Sequence, residues 1–276
     1  MDGSIIAIIL FIVITIVYYV GIKPKLTTKI LEDPKLYSTY ATSLYSTLFV
    51  YFLAAVLSQF GLNISVLIAT CGGSVLNNIN SAAYITLVPW VFIFGALIGV
   101  LVTFPGFKSA FSNVVGYFVV SGSANKILTE LLKNQEVETA IDGDENASKN
   151  REAYQSAADA IIKLFGNTSI LINQIVPENF EEYWNMLTPL MKEGAGTPEM
   201  KQKLLDTVAL RDNIGEALWY VYASILIISI TQYQIAANGC KQDIAMMKAK
   251  QADFVKNEDA RIAQDNKIKS QTYTIT

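Results

Sequence analysis

The residues with the most chemical potential are five carboxylates, Glu181, Glu182, Glu193, Asp206 and Asp212, on stretches that read as soluble helix. Clustered carboxylates are the material of di-metal sites and of acid–base pairs. A di-metal centre of that kind adds a Glu-x-x-His element, and the chain contains no histidine at all. The same absence removes imidazole bases, Ser-His triads and His-ligated metals. These carboxylates therefore read as solvated helix faces. The acidic run Asp142-Gly-Asp-Glu145 lacks the alternating ligands and the closing glutamate of a calcium loop. Gly72-Gly73 opens no dinucleotide fingerprint, and no phosphate loop occurs. Two cysteines, Cys71 and Cys240, cannot by themselves build a structural zinc site. They can pair only if they reach the same membrane face, and two separate reduced thiols are the expected state. No catalytic, cofactor-binding or metal-binding residue is assigned, and the chain is not expected to be an enzyme.

What must position these groups is set by an unusual composition. Of 276 residues, 52% are hydrophobic and only 16% are charged. Soluble domains carry about 25% charged residues. The net charge of −3 offers no basic excess for phosphates, so nucleic acid is not an expected partner.

The charge deficit is localised. Gly3 to Ile22, Leu36 to Phe107 and Ala217 to Cys240 contain no charged residue. About 20 apolar residues cross the hydrocarbon of a bilayer as a helix. Ser4–Val20 is one such span, with acidic Asp2 before it and no cleavage site after it, so it reads as a retained anchor rather than a signal peptide. The central run holds two spans, Ser43–Leu62 and Tyr84–Phe104, joined through Gly72-Gly73 and Asn77, Asn78 and Asn80. Between them, Ile64–Thr70 reads as a short buried or re-entrant piece. The fourth span is Ala217–Ala236, with aromatic residues at both ends. Uninterrupted apolar runs lack the dyad alternation of a barrel. The expected fold is all-α, a multispanning helical membrane protein of about four transmembrane helices with a small helical extramembrane module and a polar C-terminal tail.

The expected organisation is an anchor at 1–22, a short basic loop at 23–42, a transmembrane hairpin at 43–104, the helical module at 105–216, the fourth span at 217–238, and a partly helical tail at 239–276. The loop residues 23–35 carry a net charge of +2, which places them on the cytoplasmic side by the positive-inside rule. The module then shares that side, and the tail lies opposite. Within the module a helix is expected around Lys126–Lys133, then a solvated loop over Gln135–Lys149. A second helix is expected from a Ser148 cap through Tyr154, Ala158, Ile161, Ile162 and Phe165 to Gly166. Pro177 opens a helix carrying Phe180, Trp184 and Leu187. Thr197-Pro198-Glu199 combines a capping hydroxyl, a first-turn proline and a first-turn carboxylate, and the helix it opens runs towards the fourth span. In the tail, Ile244, Met247 and Phe254 mark a weakly amphipathic helix, with the chain beyond about Asn257 ordered only on a partner. Glycosylation triplets occur at Asn63, Asn146 and Asn167. Gly95 and Gly99 form a small-xxx-small face, read here as a helix-packing signal.

Two segments carry a family likeness. Phe104-Pro-Gly-Phe-Lys-Ser-Ala-Phe-Ser-Asn-Val-Val-Gly116 resembles a Pro-Gly-aromatic, Phe-Ser-Asn, Gly pattern in membrane proteins of nucleocytoplasmic large DNA viruses, particularly algal phycodnaviruses. Phe107 stands where that pattern has tryptophan, and Val114 where it has threonine. Arg211-Asp-Asn-Ile-Gly-Glu-Ala-Leu-Trp-Tyr220, with Gly239-Cys240 and Met246-Met247, is similar to the same proteins. The resemblance implies a membrane-embedded minor capsid protein of the virion's internal membrane, inserted in host-derived membrane during assembly. It implies no catalytic residues. Implied partners are the lipid bilayer, capsid or other minor capsid proteins, and copies of the chain itself. The alternative function is an oligomeric channel or small transporter, viroporin-like, for which Pro89 and Asn77, Asn78 and Asn80 are the polar or helix-breaking candidates.

Overall fold

The structure is a computed structural model describing residues 3–132, 168–237 and 244–272. The protein is all-α, and four of its helices are long and apolar enough to cross a membrane. Helix α1 spans Gly3–Val17 and closes in a wide π turn at Tyr18–Ile22. A short α2, Thr28–Glu32, precedes α3, Pro34–Cys71. The next span is α4, Val75–Pro89, a π turn at Trp90–Phe94, and α5, Gly95–Thr103. Pro89 has no N–H to give back along the helix, and the chain widens into the π turn directly after it. After a 3₁₀ turn at Pro105–Lys108 come α6, Ser109–Phe111, a π turn at Ser112–Gly116, and α7, Tyr117–Leu131. The remaining elements are α8, Thr168–Gln174, α9, Phe180–Leu187, α10, Pro198–Ala237, and the tail helix α11, Ile244–Thr272.

Several boundaries differ from those expected, for local reasons. The last part of the basic loop, 34–42, is the start of α3. Asp33 caps it by accepting from the Lys35 and Leu36 amides at 2.8 and 3.4 Å, and Pro34 occupies the first helical position. At its other end Ile64–Thr70 continues the same helix and does not re-enter the membrane. Gly72 and Gly73, both at positive φ, then turn the chain into α4. The Asn78 amide steadies this turn by donating to the carbonyls of Gly72 and Ser74. In the tail, α11 runs on past Asn257 to Thr272, helped by an Arg261–Glu258 pair at 3.0 Å. The expected helix from Ser148 to Gly166, the loop at Gln135–Lys149, and the triplets at Asn146 and Asn167 lie outside the described residues.

A Cβ placed on Gly3 would lie 3.2 Å from Val66 and 3.9 Å from Gln232. The start of α1 therefore shares one face with the ends of α3 and α10, and the four spans run antiparallel in turn. Cys71, at the end of α3, is disulfide-bonded, which corrects the expectation of reduced thiols. Cys240 is the chain's other cysteine and lies outside the described residues.

Inside the bundle, packing rather than water exclusion holds the helices, because lipid is as apolar as the side chains. The centre is aromatic. Phe11, Trp90 and Phe94 are fully buried, with ring centroids 5.2–5.5 Å apart. Polar side chains are paired on either side of this layer. Thr15 shares a 2.8 Å bond with the Tyr51 hydroxyl, and Gln59 donates to the Ala7 carbonyl at 3.0 Å. Asn63 donates to Thr86 at 2.9 Å and accepts from Gln232 at 3.3 Å. Asn63 is 2% exposed, so this triplet is no glycan acceptor in the folded protein. The Asn63→Ala variant is expected to lose about 1 kcal/mol, in the range of hydrogen bonds within membranes. A denaturant titration in mixed micelles would measure that loss. Intact mass of protein made in a glycosylating membrane should show no sugar on Asn63.

The module packs on the opposite face. Phe180, Trp184 and Leu187 fall on the inner side of α9, as their spacing predicts, against Leu128, Ile172 and Leu204. Leu26 joins this core, tying the first connecting loop to the module.

Candidate functional site

At about 1.5 Å per residue, the 40 residues of α10 extend about 60 Å, twice a hydrocarbon core of about 30 Å. Its first half belongs to the module and its second half to the bundle. The Thr197 hydroxyl caps it by accepting from the Met200 amide at 3.2 Å. Midway, Asp212, Glu216 and Tyr220 recur every fourth residue and so lie on one side of the helix. All three are buried.

This stripe meets two lysines from distant parts of the chain. Lys23 reaches Glu216 at 2.8 Å and Asn213 at 2.7 Å. Lys108 reaches Asp212 at 3.0 Å and Glu216 at 3.9 Å. The other Glu216 oxygen accepts from the Tyr220 hydroxyl at 2.8 Å. Side-chain exposure of the four charged groups is 7–13%, so each charge depends on its partners. Burial works against the Lys108 ammonium, but Asp212 and Glu216 outweigh it and raise Lys108 above its ordinary value. The folded state therefore gains from this lysine below its ordinary pKa and loses that gain only as pH rises through the higher folded value.

Beside the ion pairs, backbone meets backbone. A Cβ on Gly116 would fall 2.5 Å from the Arg211 carbonyl oxygen. One on Gly215 would fall 2.6 Å from the Ser112 Cβ and 2.9 Å from the Lys108 carbonyl oxygen. Only glycine lets the π turn and α10 approach this closely. Trp219 closes the contact by donating to the Phe107 carbonyl at 3.0 Å and packing edge-on to Phe111. The Arg211 guanidinium, fully buried, turns the other way. It donates to the carbonyls of Ile172 and Ile175 and so neutralises the exit of α8.

The carboxylates singled out from sequence do not assemble. Glu182, Glu193 and Asp206 are exposed. Glu181 bonds Lys201 at 2.8 Å, and Lys201 also holds Glu32 at 2.7 Å. Asp212 corrects the solvated-face reading, because it is 6% exposed and paired with Lys108. Glu216 does not stand out by charge, because it immediately precedes the uncharged run that marks the fourth span. Its signal was the four-residue repeat with Asp212 and Tyr220. Among the described residues no three His, Cys, Asp or Glu side chains converge as a metal site.

The arrangement is thus a neutral, desolvated clamp between the module and the bundle. Three distant parts of the chain meet in this clamp, with Lys108 and Asp212 separated by 104 positions in sequence and Lys23 and Glu216 by 193. No known protein family, characterised protein or solved structure matches the chain.

Proposed function

We propose that this is a non-catalytic structural membrane protein that ties a bilayer to a protein layer lying against its module face. The observation that carries the reading is α10, a single unbroken helix running from the module through the bundle and clamped at its middle by buried charges and glycine contacts. Such a helix transmits position and load between membrane and module. The resemblance of 104–116 and 211–220 to large DNA virus membrane proteins narrows the setting to a virion's internal membrane, with the capsid shell as the protein layer and the chain as a minor capsid protein. A channel or transport path through the single bundle is disfavoured by the aromatic layer of Phe11, Trp90 and Phe94, which fills its centre. Asn78 is also occupied as a turn support.

The test is crosslinking mass spectrometry on intact particles or native membranes, following lysines between 108 and 203 and between 241 and 269. Reproducible links from module lysines such as Lys192 and Lys203 to shell proteins, at constant stoichiometry, are expected. Links only among copies of this chain would sink the anchoring reading.

A further inference from the structure

The spacing of Gly95 and Gly99 predicts a surface for close helix packing, and the fold leaves them unused for that purpose. A Cβ on Gly99 would meet nothing within 4 Å, and one on Gly95 would touch only the Phe52 ring, at 3.9 Å. Instead they floor a groove of about 340 Å³ between α3 and α5, walled by Phe49, Phe52 and Ile98. Towards the module the groove meets a second cleft of about 450 Å³. Tyr45, Leu48 and Val102 line both, so the two form one continuous depression. Its long end is apolar and faces where acyl chains would lie. Its other end is polar and sits at the foot of the spans, at the level of the ion-pair clamp.

The charges of the polar end are unequal. Lys23 and Lys108 are already neutralised by Asp212 and Glu216. What remains along the cleft is Lys25, against Glu178 and Asp206. Lys25 is exposed and, among the described residues, forms no ion pair. One free ammonium with two carboxylates suits a ligand carrying both a phosphate and a cationic group. A purely anionic head group would meet net negative charge. Tyr37 and Tyr40 add aromatic faces that accept a cation.

We propose that this depression binds one phospholipid with a zwitterionic, ammonium-bearing head group, its phosphate on Lys25, its ammonium towards Asp206 and Glu178, and an acyl chain over Gly95 and Gly99. The site does not depend on the anchoring reading, since it needs only a bilayer.

Native mass spectrometry of the full chain in detergent, titrated with phosphatidylethanolamine or phosphatidylglycerol of identical acyl chains, tests the assignment. One phosphatidylethanolamine per chain is expected, at concentrations about fivefold below those needed for phosphatidylglycerol. Gly99→Phe fills the groove in open space and should weaken binding about tenfold with helicity unchanged. Asp206→Lys should reverse the head-group preference. Absence of a bound lipid, an unaltered chain that prefers phosphatidylglycerol, or binding unmoved by Gly99→Phe would overturn the proposal. So would a Gly99→Phe variant that converts a dimer to monomer without losing lipid, because the groove would then belong to a second copy.

Discussion

Replacing Glu216 with alanine is expected to destabilise the protein by about 3–5 kcal/mol, the loss typical of breaking a buried ion pair from one side. Glu216 accepts from Lys23 and Tyr220 and also faces Lys108, so its removal leaves the Lys23 ammonium, 11% exposed, without a carboxylate and Lys108 with Asp212 alone. The penalty comes from that stranded charge more than from the lost attraction. A companion experiment separates the two. If Lys23 and Lys108 are changed to methionine in the Glu216→Ala background, and Asp212 to leucine, no buried charge remains in the clamp. This variant should recover most of the lost stability while keeping the packing. Thermal unfolding in detergent, followed by tryptophan fluorescence to which Trp219 beside the clamp contributes, gives the comparison. A single-variant loss below about 1 kcal/mol would mean that the charges are hydrated in the folded protein and carry no structural load.

The second large effect is expected from the glycine contact. Gly116→Ala and Gly215→Ala each place a methyl group within 2.5–2.6 Å of atoms that cannot rotate away, the Arg211 carbonyl and the Ser112 Cβ. Overpacking of cores costs typically 1–3 kcal/mol where side chains yield, and here the obstacles are backbone or attached directly to it. A loss of about 3 kcal/mol or more is expected for each, with the π turn forced off α10 and the Lys108–Asp212 distance lengthened. Gly122→Ala is the control. Gly122 lies in α7 with nothing within 4 Å of an added Cβ, so this variant should gain up to about 1 kcal/mol from helix propensity. Equal effects at all three positions would mean that the losses reflect glycine replacement in general and not the helix contact. The two predictions also bear on function. Both Glu216→Ala and Gly215→Ala should uncouple the module from the bundle, and under the anchoring proposal module lysines should then crosslink to the adjoining layer with irregular partners.

The number of the spans, their helical nature and the Thr197 cap are legible in the residues, because each depends on a few neighbours, whereas α3 and the span from Val75 start well before the expected Ser43 and Tyr84. Uncharged runs mark Gly3–Ile22 and the fourth span directly, and Thr197-Pro198 marks the start of α10. Asp33-Pro34 is an equally local signal, inside the stretch whose charge reads as a loop, and α3 starts there. Asp212 and Glu216 differ in kind. A carboxylate on a helix shows its face by spacing, but whether that face meets water or a lysine depends on where the chain brings Lys23 and Lys108. The same holds for glycine. Gly95 and Gly99 look by spacing like a packing surface and line an open groove, whereas Gly116 and Gly215, with no such spacing, are where two backbones touch. An all-α bundle with four apolar spans follows from hydropathy and capping that act over a few turns. Which charges pair and which small residues touch follows from the folded arrangement alone, because those interactions join segments 95 to 193 positions apart and their energies exist only once the helices are packed against one another.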